Sequence, residues 1–201
     1  MKAIWLALGI ILVLFLPTLL RAQDKFEVFG GYSYFRASVT ATGQTCPPGI
    51  PPCSTVTVTS HPNLNGWEGS VEYKPLKDVG LVADFGGNYG SLPSSSGGGS
   101  LHNNTYLFGP RVFLPGRISP FVHVLAGAAH QSTGSGTANF GITFFPAHAT
   151  TAFALALGGG VDLDVTQRVR VRLVQFDYVG ANSGLSFRNQ ARISSGLVFH
   201  F

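Results

Sequence analysis

The groups able to do chemistry in this chain are few: thirteen Lys and Arg, nine Asp and Glu, six His and two Cys in 201 residues. Cys46 and Cys53 bracket a Pro-rich segment, CPPGIPPC. Two cysteines without a nearby His pair make a poor zinc site. In an exported chain they favour a disulfide that stiffens the segment over a thiol catalyst or a metal pair. His61, His102, His130 and His148 fall in or beside polar segments with no ordered Ser-His spacing, while His123 and His200 stand alone inside alternating stretches. A lone His in such a place more often joins a hydrogen-bond network than serves as a base. There is no metal, nucleotide or nucleophile motif, so no cofactor and no enzymatic activity are expected.

The carboxylates and guanidinium groups carry a more specific pattern. Glu68, Glu72, Asp84, Asp162 and Asp177, with Arg111, Arg170, Arg172 and Arg192, each occupy the polar face of a stretch that alternates polar and apolar with period two. Acids and bases on that face are near balance. Charges enclosed together must be paired or hydrated to offset their desolvation. Their chemistry is therefore that of an ion-paired plug, the alternative being a narrow pore lined by rings of charge.

The elements that must position them begin after a leader. MKAIWLALGIILVLFLPTLLRA has one early Lys, an apolar run, a Pro break and a small residue at Ala22, the layout of a secretory signal peptide spanning 1–22 and cleaved after Ala22. The alternative is an uncleaved membrane helix, since Ile4 to Leu20 is nearly long enough to span. Removing Lys2 and Arg21 lowers the formal net charge from +4 to +2, so the basic balance gives no reason to expect nucleic acid. Residues 23–201 are enough for one domain. Charged residues are only 11% of the chain against 12% aromatics and 26 Gly. A water-soluble surface normally carries more than twice that charge.

Period-two stretches recur along the whole of 23–201. KFEVFGGYSYFR (Lys25–Arg36) sets Val28, Tyr32 and Tyr34 against Glu27, Ser33 and Phe35. GWEGSVEYK (Gly66–Lys74) sets Trp67, Val71 and Tyr73 against Glu68, Ser70 and Glu72. A short turn leads to Val79–Tyr89, with Leu81, Phe85 and Tyr89 opposite Asp84 and Asn88. Thr105–Leu114, Pro120–Gln131, Thr151–Asp162 and Arg168–Tyr178 follow, the first interrupted by Pro110, which removes a ladder donor. In RVRVRLVQFDY the parity breaks after Leu173, which predicts a β-bulge near Val174 that keeps Gln175 and Asp177 on the polar face. The connections alternate long and short: Ala37–Asn65, Ser91–Asn104, Ser132–Thr150 and Val179–Asn189 read as loops, the others as tight turns.

The last stretch, QARISSGLVFHF, puts Leu197, Phe199 and Phe201 on one apolar face and stops on the aromatic. With FEVFGGYSYFR, GWEGSVEYKP, GLVADFGGNYG, YLFGPRV, PFVHVLAGAA, FALALGGGVD and VRLVQFDYV, it resembles the small eight-stranded bacterial outer-membrane β-barrel family of the OmpA/OmpX type, without a peptidoglycan-binding domain. The resemblance implies an all-β, eight-stranded antiparallel up-and-down transmembrane barrel in the bacterial outer membrane, preceded by a cleaved signal peptide. It also implies that Leu197, Phe199 and Phe201 are the terminal signal read by the barrel assembly machinery. The expected role is structural or interactive at the cell surface, in contact with outer-membrane lipid, as a monomer. The alternatives are a narrow porin-like channel and a lipid-modifying enzyme. The loops, with Phe140, Phe144, Phe145, Leu185 and Phe187, are where an unidentified surface ligand would bind, or where these apolar side chains pack on one another or at the lipid headgroups.

Overall fold

A computed structural model describes residues 25–201 apart from 47, 50–51, 95–97, 139–142 and 184–185, and not the side chains of 182–189. The leader expected over 1–22 lies outside the described residues. Twelve strands are described: β1 (Phe26–Arg36), β2 (Val39–Thr45), β3 (Ser54–Ser60), β4 (Asn63–Tyr73), β5 (Val79–Ser91), β6 (Ser100–Phe113), β7 (Ile118–Thr133), β8 (Gly136–Ala138), β9 (Thr143–Phe145), β10 (His148–Asp164), β11 (Val169–Ser183) and β12 (Ser186–His200).

Eight of them close an antiparallel barrel in the order β1-β12-β11-β10-β7-β6-β5-β4. The seam is the β1–β12 pair, which runs from Glu27↔His200 to Arg36↔Ala191. It is extended by Phe201 N–H donating to the Phe26 carbonyl at 2.9 Å. Closure leaves no barrel edge unpaired, the condition for strands to cross a membrane. The outward set is apolar. Trp67, Leu81, Phe108, Val122, Phe153 and Leu157 each leave half or more of their surface uncovered, as a lipid-facing belt requires.

The alternation holds through β11 because of a local irregularity. Val161 pairs with Val174 but Asp162 pairs with Arg172, and on the other side Arg172 and Gln175 oppose Gly196 and Ser194. Leu173 and Val174 thus both point outward, at 51% and 45% exposure, while Arg172 and Gln175 both point in. Pro110 is accommodated within β6: it is exposed, and the β6–β7 ladder resumes at Arg111↔His123 in the register it had at Phe108↔Ala126.

The long connections differ from the sequence expectation. Ala37–Asn65, expected as a loop, is mostly the β2–β3 hairpin. It continues the β1–β4 hairpin in unbroken register through the Ala37 N–H to Pro62 carbonyl bond at 3.1 Å. Its Thr and Val residues are β-formers, and the Cys46–Cys53 disulfide ties its tip. Ser91–Asn104 shrinks because β6 begins at Ser100, and Val179–Asn189 is largely strand up to Ser183 and from Ser186. Ser132–Thr150 holds β8 and β9, which complete a separate four-stranded sheet in the order β3-β2-β9-β8. Polar Ser, Thr and Gly composition suggested loops, but strand pairing satisfies their backbone equally well.

Candidate functional site

The barrel interior is the candidate site, and it is filled in two layers. The layer nearer the short turns is ionic. Arg192, from β12, is fully buried; its Nη1 donates to Asp84 Oδ1 at 2.8 Å and its Nη2 to Asp177 Oδ2 at 2.6 Å, with Glu68 Oε2 at 3.3 Å from Nε. Arg172 makes a bidentate pair with Asp162, 2.8 and 3.1 Å, and its guanidinium stacks over Phe29 and Phe121 at 4.3 and 4.6 Å. Gln175 joins the two groups: its Oε1 accepts from Arg172 at 2.7 Å and its Nε2 donates to Glu68 and Asp177, both at 2.8 Å. Arg111 pairs with Glu72 at 2.8 Å and lies 4.2 Å above the Phe121 ring. Paired, bidentate and ring-stacked guanidinium groups are what a buried Arg needs to offset lost hydration.

The structure brings together Glu68, Asp84, Asp177 and Arg192 in one cluster, and Asp162 with Arg172 in a second. Arg170 stands apart, near the rim, paired with Asp164 and with Glu27. Glu27 is the residue the sequence reading passed over. It sits on the inward face of β1 and also takes Lys74 and His200, the latter at 2.9 Å from Nδ1. His123, expected to be a hydrogen-bonding member, lies 2.7 Å from Asp177 Oδ1 through Nε2. Asp24 lies outside the described residues. Of the other acidic residues all but Asp78 make an ion pair here. The parity of β1 and the chain's small number of acids were the signals that could have found Glu27.

Small inner residues make this packing fit. A Cβ on Gly158 would run into Asp177 Oδ1, and one on Gly80 into the Glu72 carboxylate. The second layer, nearer the long connections, is uncharged and mostly apolar: Phe35, Leu64, Leu101, Ala129, Ala154 and Val179 are buried and contiguous, with Asn88, Asn103 and Thr105 buried alongside them. Leu64 and Leu101 were expected in loops; they are instead the first inward residues of β4 and β6.

At the closing strand Leu197, Phe199 and Phe201 are all outward and about two-fifths exposed or slightly more. Of the loop rings, Phe144 is exposed while Phe145 is buried, so they do not form one exposed patch. Phe140 and Leu185 lie outside the described residues, and Phe187 falls within β12. Among the described residues no three His, Cys, Asp or Glu side chains are placed to hold a metal ion.

No protein-family model matches this sequence, and no curated protein matches it by sequence. Solved structures do match. The Neisserial surface protein A superposes with a TM-score of 0.59 at 12% identity, over 88% of this chain and 97% of that one. Ail, the attachment invasion locus protein of Yersinia pestis, gives 0.54 at 14%, over 89% and 99%. The fold is that of the small eight-stranded outer-membrane β-barrels. OprG of Pseudomonas aeruginosa, at 0.54 and 11% over 89% and 96%, agrees. At such identities the likeness speaks for the outer-membrane barrel fold alone, and the filled interior must be read from this chain's own residues.

Proposed function

We propose that this chain is an integral outer-membrane protein whose barrel is a closed scaffold for the sheet and connections at its long-loop end, with a structural or surface-interaction role. The observation that carries this reading is the double filling of the interior. A solute path would have to cross both a layer of mutually paired charges and a layer of buried apolar side chains, and an eight-stranded barrel is only wide enough for its side chains to fill. The long connections face outward from the cell by the rule that external loops are long and periplasmic turns short.

The leader delivers the chain for export with cleavage after Ala22, Leu197, Phe199 and Phe201 engage the barrel assembly machinery, and the protein is a monomer in outer-membrane lipid. The two inward His side chains fit a structural rather than a catalytic role: His123 and its partner Asp177 are fully enclosed, out of reach of a substrate, and His200 is tied to Glu27. The test is planar-bilayer conductance of the purified mature protein, Gln23 to Phe201, with folding checked by gel mobility before boiling. A silent bilayer is expected from folded protein. Steady, reproducible current steps would replace the scaffold with a narrow porin-like channel.

A further inference from the structure

The short-turn end of the barrel carries charge that the interior does not use. Lys25 before β1, Lys77 between β4 and β5, Arg117 between β6 and β7, and Arg168 between β10 and β11 are all exposed. Most acids of this end are engaged elsewhere: Glu27 takes Lys74, Arg170 and His200, and Asp164 takes Arg170. Among the described residues the exposed exception is Asp78, next to Lys77. The backbone ties these positions to neighbouring strands. Lys74 N–H donates to the Lys25 carbonyl at 2.8 Å, Asp164 N–H to that of Arg117 at 2.9 Å, and His200 N–H to that of Arg168 at 3.0 Å. The strand order spreads them around the whole rim, so the four cations form a collar rather than a patch.

Apolar side chains stand beside them. Leu76 precedes Lys77, Ile118 follows Arg117 with Leu114 at the start of the same turn, and Val165 shares the turn of Arg168. Leu114, Leu76 and Ile118 are the most exposed large hydrophobics among the described residues, at 66, 65 and 64%. At the seam, next to Lys25, the Phe26 and Tyr73 rings lie 5.1 Å apart. Water satisfies the cations but not these tips. A membrane interface satisfies both, with the apolar groups at the acyl boundary and the cations level with the headgroups. The long-connection end has no such pairing: no Asp, Glu, Lys or Arg occurs in 37–67, 85–110 or 118–161. We propose that the collar binds the anionic glycerophospholipid headgroups of the leaflet at the short-turn end, their phosphates against Lys25, Lys77, Arg117 and Arg168. The opposite leaflet is left unselected by charge. The proposal rests on the reading of a membrane-embedded barrel above and names the lipid that one end of it selects.

The test uses the mature protein in bilayers of phosphatidylcholine and phosphatidylglycerol, with one lipid or the other brominated to quench tryptophan. Trp67, in the half of β4 nearer the long connections, reports on that end. Leu76→Trp in a Trp67→Phe background reports on the collar. Each cation near an anionic surface is worth about fivefold in lipid affinity. Phosphatidylglycerol should therefore be favoured about fivefold at the collar and by less than about twofold at Trp67, and added salt should erase the preference. Lys77→Gln with Arg117→Gln and Arg168→Gln should abolish it in a barrel still folded by gel mobility, whereas Arg117→Lys with Arg168→Lys should keep it. Equal quenching by the two lipids at the collar, a preference that survives the three Gln substitutions, or the same preference at Trp67 would each overturn the proposal. So would capture of the folded protein by isolated peptidoglycan, lost in the Gln variant, without any lipid preference; the collar would then be a contact with the wall. Loss of the lipid preference from a barrel that stays silent in the bilayer removes this inference alone, while steady conductance removes the scaffold reading and leaves the collar standing.

Discussion

The two halves of the barrel interior solve the same filling problem with different chemistry. Toward the short turns, β1, β4, β10, β11 and β12 send in charged side chains that neutralise one another around Arg192, Arg172 and Glu27. Toward the long connections four of these strands, β1, β4, β10 and β11, send in Phe35, Leu64, Ala154 and Val179, and the segments beyond them are almost free of charge: no Asp, Glu, Lys or Arg occurs between Arg36 and Glu68 or between Ile118 and Val161. A paired ionic layer fixes geometry, because each donor has one set of acceptors, but it fails badly when one partner is lost. An apolar layer tolerates change better and excludes water. The contrast assigns register and rigidity to one end and sealing to the other.

The sharpest way to break this contrast is to remove one member of the ionic layer. Arg192→Ala leaves Glu68, Asp84 and Asp177 facing one another with no guanidinium between them, and should cost about 3 to 5 kcal/mol of stability. Arg172→Ala, which strands Asp162 and Gln175, should follow closely. Both are read from urea midpoints in detergent micelles against an Ala substitution at an exposed position of the external sheet, Thr137→Ala in β8. Equal midpoints for Arg172→Ala and Thr137→Ala would mean the ion pairs are incidental.

In the apolar layer, Phe35→Ala should cost about 3 kcal/mol through the cavity it leaves. It should also do what the ionic variants do not, letting brief current steps appear in a bilayer. A silent Phe35→Ala barrel would mean that the seal lies lower, among the charges. Gly158→Ala sharpens the comparison from the side of space rather than charge. Its methyl group would push Asp177 off His123 and Arg192, at about 1 to 3 kcal/mol. Gly30→Ala, where a Cβ meets nothing within 4 Å, should change stability by no more than about 0.5 kcal/mol. Identical midpoints for the two glycine variants would show that the interior relaxes freely.

The ionic half was the more legible in the sequence, for a physical reason. Charge on one face of a period-two stretch has few places to go, so Glu68, Asp84, Arg172 and Arg192 could be placed inward residue by residue, and the parity break at Leu173 located the bulge. Glu27 was placed on the polar face of β1 but left out of the charge network, because only its partners Lys74 just past β4, Arg170 of β11 and His200 of β12 make it a member. The apolar half was harder. Leu64 and Leu101 lie in Ser, Thr, Asn and Gly-rich surroundings that read as loop, and nothing local tells a lone Leu inside such a stretch that it lines a barrel. The β2–β9 pairing, across nearly a hundred residues, leaves no trace in composition at all.

The smallest expected effect concerns the disulfide, and it separates the external sheet from the barrel beneath it. Cys46 and Cys53 close a short loop, for which the chain-entropy argument gives about 2 kcal/mol. That energy belongs to the β2–β3 hairpin, since the ladder from Val39↔Ser60 to Thr45↔Ser54 is the structure the link constrains. The barrel closes through β1–β4 and β1–β12 pairs that do not involve it. Reduction, or Cys46→Ser with Cys53→Ser, should therefore leave the urea midpoint of the barrel unchanged within about 0.5 kcal/mol while speeding amide exchange in β2 and β3. If the barrel midpoint falls with the hairpin, the two sheets unfold as one unit, and the external sheet is part of the seal over the apolar layer rather than a separate element mounted on it.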